Sequence, residues 1–152
     1  MAHYFTNFSF LLPLMEAKTY VLEISHQVSL HRAEEAPLPP DFPESLKDVI
    51  EDWTFEVADV PEGIWFHTDC GGIDAACAFV QHLLQKFNSP ACVTFEWSHD
   101  CSHPRFNAFG GGAAIVTATE IKTLNTSDWL RAQVPNHTNH EHHHCPPGGS
   151  PV

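Results

Sequence analysis

The spacing of apolar and polar positions changes several times along the chain, and each change predicts a new element. The aromatic, β-prone stretch 3–14 predicts a first strand, which Pro13 closes because proline cannot donate to a strand ladder. From 15 to 32 the apolar residues recur every three or four positions, which is typical of a helix. The proline-rich stretch 34–43 cannot continue that helix, because prolines lack amide donors, so it predicts a surface connection.

The rest of the chain repeats this succession of helices and strands. Residues 43–53 predict a helix with Pro43 at its first position and Asp41 or Phe42 as its cap. Residues 54–68 predict two short strands around a turn that contains proline and glycine. Further along, the pattern predicts a helix over 71–87, strands over 92–99 and 113–121, and a short helix over 126–133 capped by Thr126 or Ser127.

This order of elements predicts a single α+β domain over residues 1–131. It matches a ferredoxin-like, or split βαβ, sandwich with an extra hairpin strand, in which helices cover one face of a mostly antiparallel sheet. Trp65 and Trp97 are expected in its core. Residues 132–152 are rich in histidine, proline and glycine and lack apolar periodicity, so they predict a disordered tail.

The predicted tail has candidate chemistry of its own. Its donors are His137, His140, His142, His143, His144 and Cys145, which are ligands for zinc and similar divalent metals. A tract of this composition also binds nickel or zinc without that being its purpose. Both interpretations of the tail remain open at this point.

The overall composition is that of a folded domain, since 43% of the 152 residues are hydrophobic. No apolar run approaches the roughly 20 residues that cross a membrane, and the start lacks the basic and apolar regions of a secretion signal. The spacing of the five cysteines is not that of a disulfide scaffold, so they are expected to be thiols. A cytoplasmic protein with no membrane partner is therefore expected.

The charge of the chain is strongly negative and uneven. The formal net charge is −12, which argues against direct nucleic-acid binding, because such binding depends on lysines and arginines that neutralise phosphates. Ten carboxylates and one lysine, Lys47, lie between residues 34 and 62. This stretch is either a solvated surface that keeps the protein soluble or an acidic face for a basic partner, such as a protein that itself binds nucleic acid.

Residues that carry chemistry cluster where two predicted strands end, before and after the helix 71–87. The two groups are His67, Asp69 and Cys70, and His99, Asp100, Cys101 and His103. A crossover helix makes the two strands that it joins run in the same direction, so their ends lie at one edge of the sheet. Open sheets with crossover helices usually bind ligands there. The two groups are therefore expected to approach each other.

Three chemistries could use such an edge. A zinc site would draw on His67, Cys70, His99, Cys101 and His103, although their spacing is not that of a known zinc finger or ribbon. A thiol nucleophile would be Cys70 or Cys101, activated by a histidine such as His99 and by the helix N-terminus. The paired carboxylates of the two groups would serve a hydrolase.

The same edge offers groups that bind a polar ligand. The amides of Gly71 and Gly72 open a helix, which can receive an anion, and Arg105 adds a guanidinium. With His67 and Asp69 they form the candidate binding set. Each of these residues also has a structural interpretation, as a turn or strand-end side chain that hydrogen-bonds neighbouring backbone.

The segments "FEWSHDCS" and "FGGGAA" are similar to a family of small uncharacterised bacterial proteins of plasmids, phages and other mobile elements. The resemblance covers about residues 60–130 and carries no activity, substrate or catalytic residue with it. It implies a context, because accessory genes often encode small acidic proteins that bind host defence or replication factors.

The triple glycine 110–112 either lets backbone approach a ligand closely or only leads the chain into a strand.

Two hypotheses from different classes follow. The first is a non-enzymatic binding or inhibitor protein whose acidic surface engages a basic protein partner. The alternative is a small metal- or thiol-dependent enzyme of the hydrolase type that uses the edge formed by 67–70 and 99–103. The sequence leaves open the identity of the partner or substrate and the oligomeric state.

Overall fold

The computed structural model of the protein describes residues 2–137. The strands are β1 (Tyr4–Leu12), β2 (Glu56–Val60), β3 (Gly63–Thr68), β4 (Val93–Cys101), β5 (Gly110–Val116) and β6 (Ile121–Asn125). The α-helices are α1 (Lys18–Glu34), α2 (Ile73–Lys86) and α3 (Thr126–Gln133), and the 3₁₀ helices are Met15–Ala17, Glu44–Asp52 and Val134–His137. The predicted α+β class is confirmed.

The six strands form one antiparallel sheet in the order β2-β3-β1-β4-β5-β6. β1 lies between β3 and β4 and is antiparallel to both, so β3 and β4 run in the same direction. The crossover through α2 predicts this relation. The ends of β3 and β4 therefore lie at one end of the sheet, on either side of the start of β1. We call this end the rim.

One face of the sheet is buried beneath the helices. Side chains alternate along each strand, so every second residue of β1, β3 and β4 enters the core. These residues are Phe8, Phe10, Leu12, Ile64, Phe66, Val93, Phe95 and Trp97, and the helices add Val21, Ile24, Val28, Leu46, Phe79, Val80, Leu83 and Leu84. The opposite face, which we call the open face, carries exposed or half-buried residues: Ser9, Leu11, Trp65, His67, Thr94 and Glu96.

Trp65 is the main departure from the predicted core. Trp97 is 7% exposed, as expected, whereas Trp65 is 40% exposed. Ile64 and Phe66 occupy the helix-covered face, so the alternation along β3 leaves Trp65 on the open face. The prediction that Trp65 lies in the core is wrong.

The predicted strand 113–121 is interrupted by a turn. The amide of Thr117 donates to the carbonyl of Glu120 at 2.8 Å. The hydroxyl of Thr117 accepts from the amides of Thr119 and Glu120 at 3.3 and 3.1 Å. A hydroxyl that pairs the amides of a turn competes with the strand ladder. The chain therefore folds back as the hairpin β5–β6, and the sheet has six strands instead of the five predicted.

The second predicted helix is a 3₁₀ helix, Glu44–Asp52, and neither Asp41 nor Phe42 caps it. Its N-cap is Pro43, which makes no side-chain hydrogen bond, and Phe42 is instead buried in the core. The exposed residues of this helix are mostly charged, and its buried residues anchor it against the core. It therefore presents its carboxylates on a fixed surface.

The last helix extends past the predicted domain boundary at residue 131. α3 ends at Gln133, and a 3₁₀ turn continues to His137. Its cap is Asn125, whose Oδ1 accepts from the Ser127 amide at 3.0 Å, in place of the predicted Thr126 or Ser127. The rest of the predicted tail, with its other metal donors, lies outside the described residues.

Candidate functional site

The two predicted groups of polar residues reach the rim on either side of β1. The Thr6 amide donates to the Asp69 carbonyl at 3.2 Å, and the Gly71 amide donates to the Thr6 carbonyl at 3.0 Å. On its other side Thr6 lies opposite His99 of β4. One residue of β1 therefore contacts both groups.

The imidazoles of the two groups nevertheless project to opposite faces of the sheet. His67 lies opposite Ser9 of β1, and His99 lies opposite Thr6. Because Thr6 and Ser9 are three positions apart in one strand, their side chains point to opposite faces, and so do those of their cross-strand partners. His67 lies on the open face and His99 on the helix-covered face. The sheet separates them.

A pocket of about 740 Å³ on the open side of the rim contains the first group. Its polar lining is Asn7, Ser9, Thr54, Glu56, His67, Thr68, Asp69 and Cys70. The Trp65 ring stacks on His67 with 3.9 Å between ring centroids, and its Nε1 donates to Ser9 Oγ at 2.8 Å. These contacts fix the position of His67 beside two carboxylates.

The thiol of Cys70 is not activated for nucleophilic attack. It donates a hydrogen bond to Asp69 Oδ1 at 2.9 Å. This hydrogen bond raises the pKa of Cys70, and slight desolvation and the charges of Asp69 and Glu56 raise it further. Reactive cysteines have a lowered pKa because the thiolate is the nucleophile. The surroundings of Cys70 therefore favour the unreactive thiol.

Asp69→Asn is expected to accelerate the alkylation of Cys70. Without the carboxylate, the thiolate is no longer disfavoured by a neighbouring negative charge, so the pKa of Cys70 falls and its thiolate fraction at pH 8 rises. We expect a gain of roughly three- to tenfold in the rate of reaction with iodoacetamide, measured peptide by peptide by mass spectrometry. Exposed Cys92, at the opposite end of the sheet, is the internal control. An unchanged Cys70 rate would contradict the interaction with Asp69.

A second pocket, of about 390 Å³, lies on the helix-covered side of the rim at the start of α2. Its lining includes Thr6, Asp52, Gly71, Gly72, Asp74, Trp97, His99, Asn125 and Asp128. Thr6 Oγ1 and His99 Nδ1 are hydrogen-bonded at 2.8 Å, which orients the ring. This pocket contains one imidazole and three carboxylates and is separate from the pocket of His67.

The start of α2 already has an anionic partner from the chain itself. Asp52 Oδ2 accepts from the Ala75 amide at 3.0 Å. Gly72 is the N-cap with φ +92°, and a Cβ there would lie 3.0 Å from Thr54 Oγ1, so glycine is required. A carboxylate at a helix N-terminus interacts favourably with the helix dipole. Asp52 is therefore an anionic group of the chain itself at the start of α2, and binding of an external anion at Gly71 and Gly72 stays a prediction.

The remaining predicted site residues lie on the exposed loop that follows β4. Cys101 is half-buried at the end of β4, opposite Tyr4. His103 and Arg105 are exposed. Arg105 lines a shallow pocket with Tyr4 and Phe106, not with the glycines at the start of α2. The structure does not bring Arg105 together with the rest of the predicted binding set.

The donors in the described residues do not fit a zinc centre. Within residues 2–137, no group of three or more His, Cys, Asp or Glu side chains is arranged to hold a metal ion. His67 and His99 lie on opposite faces, and the Cys70 thiol is bonded to Asp69. The metal-dependent form of the enzyme hypothesis therefore has no donor set in this part of the chain. The thiol-dependent form is not supported at Cys70, because the pKa of its thiol is raised.

The triple glycine makes room for Trp97. A Cβ at Gly112 would overlap the Trp97 ring and the Leu124 carbonyl oxygen, and one at Gly111 would overlap the Trp97 carbonyl oxygen. At Gly110 the nearest atom would be Thr126 Oγ1, at 3.1 Å. The absence of side chains here therefore serves packing between β4, β5 and β6.

The acidic segment, residues 34–62, is an exposed surface. Its carboxylates are Glu34, Glu35, Asp41, Glu44, Asp48, Glu51, Asp52, Glu56, Asp59 and Glu62, and all ten residues are exposed. Two of them form ion pairs: Glu44 with Lys47 at 2.9 Å and Asp59 with Lys18 at 2.7 Å. The other eight form none within residues 2–137. The charge of this surface is therefore largely uncompensated.

Two exposed residues of the open face, Trp65 and Glu96, are not among the predicted site residues. Both are exposed and project from the same side of the sheet. The signal was present in the alternation, because Glu96 lies between buried Phe95 and Trp97, and Trp65 lies between two buried residues. Strand alternation thus identifies the open face better than hydrophobicity does.

Together these features define an α+β protein with a large acidic surface and two separate polar pockets at one end of its sheet. Comparisons with protein-family models, with curated proteins and with solved structures found no match to this chain. Within the described part of the chain, no helix combines the length and apolar character needed to cross a membrane.

Proposed function

We propose that the protein is a binding or inhibitor protein that engages a basic protein partner through the acidic segment. The observation that carries the proposal is the exposure of ten carboxylates, eight of which form no ion pair within residues 2–137. Of these eight, Asp52 accepts from the Ala75 amide at the start of α2, and the other seven remain available to the lysines and arginines of a partner. Such complementarity speeds association and selects partners by charge.

The acidic segment is anchored from beneath. Phe42, Leu46, Ile50 and Phe55 are at most 5% exposed, and they fix the backbone that carries the carboxylates. Glu44, Asp48 and Glu51 lie on the outer side of the 3₁₀ helix between them. A fixed array of charges loses less conformational entropy on binding than a mobile acidic loop. This arrangement supports a binding role over a purely solubilising one.

The partner that we propose is a protein whose lysines and arginines otherwise bind nucleic acid. A net charge of −12 repels phosphate backbones and attracts the proteins that bind them. Carboxylates and phosphates compete for the same cationic side chains. We also propose that the protein belongs to a mobile element, as the resemblance of "FEWSHDCS" and "FGGGAA" implies, since small accessory proteins of such elements often bind host defence or replication factors.

We further propose that the first four strands follow the ferredoxin-like plan. The order β2-β3-β1-β4, with α1 and α2 as the two crossovers, supports this plan, and the hairpin β5–β6 extends it beyond β4. We also propose a cytoplasmic location. The four cysteines of the described chain are free thiols, which is typical of a reducing compartment.

Charge reversal in the acidic segment tests the proposed function. The full-length variant Glu44→Lys/Asp48→Lys/Glu51→Lys should bind a fluorescent oligolysine peptide at least about tenfold more weakly at low ionic strength, as measured by fluorescence anisotropy. The matched control Glu16→Lys/Glu23→Lys/Glu120→Lys has the same net charge but changes exposed residues elsewhere. A difference between the two variants therefore reports position and not total charge.

Two further measurements accompany this experiment, a salt titration and a competition with duplex DNA. Raising the salt concentration should weaken the wild-type complex, and the wild-type protein should release the peptide from duplex DNA. The proposal is overturned if the wild-type protein does not bind the peptide, or if the two triple variants bind it equally well.

A further inference from the structure

The open face combines apolar and acidic side chains. Its exposed apolar residues are Leu11 (41%), Trp65 (40%), Ile115 (44%) and Leu124 (54%). By contrast, the core residues on the helix-covered face of β1, β3 and β4 are at most 9% exposed. Exposed apolar residues that lie next to one another on a folded domain mark an interaction site more often than scattered single ones do.

The strand register places these residues in two patches. Leu11 lies opposite Trp65, which lies opposite Ala58 on its other side, so the first patch spans β1, β3 and β2. Leu124 lies opposite Ala113, and Ile115 is two positions further along β5, so the second patch spans β5 and β6. Cross-strand partners share a face of the sheet. β4 runs between the two patches.

Carboxylates of the same face flank the apolar patches. Glu96 of β4 lies between the patches, opposite Ala113 of β5. Glu56 of β2 lies at the edge of the first patch, opposite His67 of β3. Both are exposed, and neither forms an ion pair within the described residues. Among the described residues, Lys122 is the only lysine on this face, and it is paired with Glu120 at 3.4 Å. The open face therefore has two apolar patches, with the carboxylate of Glu96 between them and that of Glu56 at the edge of the first.

We propose that the open face is a docking surface for a basic amphipathic helix of the protein partner. This inference rests on the proposed function and adds the surface that receives the apolar side of the partner. Leucines or aromatic residues of the helix would cover Trp65, Leu11 and Ile115, and its lysines or arginines would reach Glu56 and Glu96. Tryptophan is enriched among the residues that dominate binding energy, so Trp65 is the expected anchor.

Size and charge both favour this occupant. Six strands spaced about 4.8 Å apart make a face roughly 24 Å wide, which an amphipathic helix of about 16 residues spans. A second copy of the chain would bring Glu56 and Glu96 towards carboxylates of the same kind. Nucleic acid would meet the same repulsion from its phosphates. A cationic, apolar helix avoids both costs.

Two synthetic peptides of about 18 residues and equal lysine content separate this inference from the proposed function. One has leucines at every third and fourth position, and the other has serines there. The full-length wild-type protein should bind the leucine peptide at least about tenfold more tightly, by fluorescence anisotropy. Leu11→Ser/Trp65→Ser should abolish that advantage and leave serine-peptide binding unchanged. The matched control Trp129→Ser/Leu130→Ser, at similarly exposed positions of α3, should retain it.

The outcomes distinguish the proposed function from the proposed docking surface. If neither peptide binds to the wild-type protein, the proposed function and this inference both fail. If both peptides bind equally well, or Leu11→Ser/Trp65→Ser keeps the leucine advantage, only the docking surface is overturned. If analytical ultracentrifugation shows a wild-type dimer that Leu11→Ser/Trp65→Ser dissociates, a second copy occupies the face and the inference is again wrong.

Discussion

Phe66→Ala is expected to lower the free energy of unfolding by about 3–5 kcal/mol, the usual cost of emptying a buried phenylalanine site. Phe66 is fully buried, and its ring lies 4.9 Å from that of Phe10, 5.5 Å from that of Phe55 and 6.0 Å from that of Phe79. It therefore joins β3 to β1, to the segment before β2 and to α2. Urea unfolding followed by circular dichroism gives the free energy.

The neighbouring aromatic residue of β3 is the natural control. Trp65→Ala removes a larger side chain, but one that is 40% exposed on the open face. We expect a smaller loss of about 1–2 kcal/mol, because the ring stack on His67 and the hydrogen bond to Ser9 are lost but no buried cavity forms. A loss at Trp65 as large as that at Phe66 would show that both faces of the sheet are covered, contrary to the structure.

Gly112→Ala is expected to destabilise the protein by about 2–3 kcal/mol although it adds a single methyl group, because the added carbon overpacks a filled site. It would overlap the Trp97 ring on one side and the backbone carbonyl of Leu124 on the other. The ring is held in the core, and the carbonyl belongs to β6. Neither can retreat without disturbing the sheet. The midpoint of urea unfolding measures the loss.

Gly110→Ala is the matched control in the same strand. Its added carbon would meet the Thr126 and Ser127 hydroxyls at 3.1 and 3.7 Å, and these side chains can rotate away. A change of less than about 1 kcal/mol is expected. Equal losses at Gly110 and Gly112 would contradict the packing role assigned to the triple glycine.

The order of elements could be predicted because it depends on local chemistry, and the common direction of β3 and β4 because it depends on their connection. The apolar stripe of α2 identifies a helix, and the prolines after α1 end one. Once a helix is known to connect two strands of one sheet, their common direction follows from the connection alone. β3 and β4 obey it even though β1 separates them.

Two features of the sheet depend on contacts that composition does not reveal. Threonine is favourable in strands, so Thr117 and Thr119 extend the apparent strand, whereas the Thr117 hydroxyl actually closes a turn. Trp65 is apolar enough for the core, but its position between two buried residues places it outside. In both cases a residue's average preference was outweighed by its neighbours.

The candidate site could be predicted as far as the end of the sheet, but the separation of its two imidazoles was missed. Alternation places His99 on the face of buried Phe95 and Trp97, whereas His67 shares the face of Trp65, which was itself expected in the core. The pairings of His67 with Ser9 and of His99 with Thr6 have no signal in the sequence. The hydrogen bond from the Ala75 amide to Asp52 is equally hidden, because 23 positions separate donor and acceptor.

The central place of β1 has a consequence for how the protein is made. Thr6 and its partner His99 are 93 positions apart, so at roughly 5–20 residues per second the ribosome needs on the order of 5–20 s to deliver β4 after β1. During that interval one side of an aromatic, β-prone segment lacks its ladder. Unpaired strand edges recruit other chains. The nascent N-terminal segment is therefore open to pairing with other chains until β4 emerges.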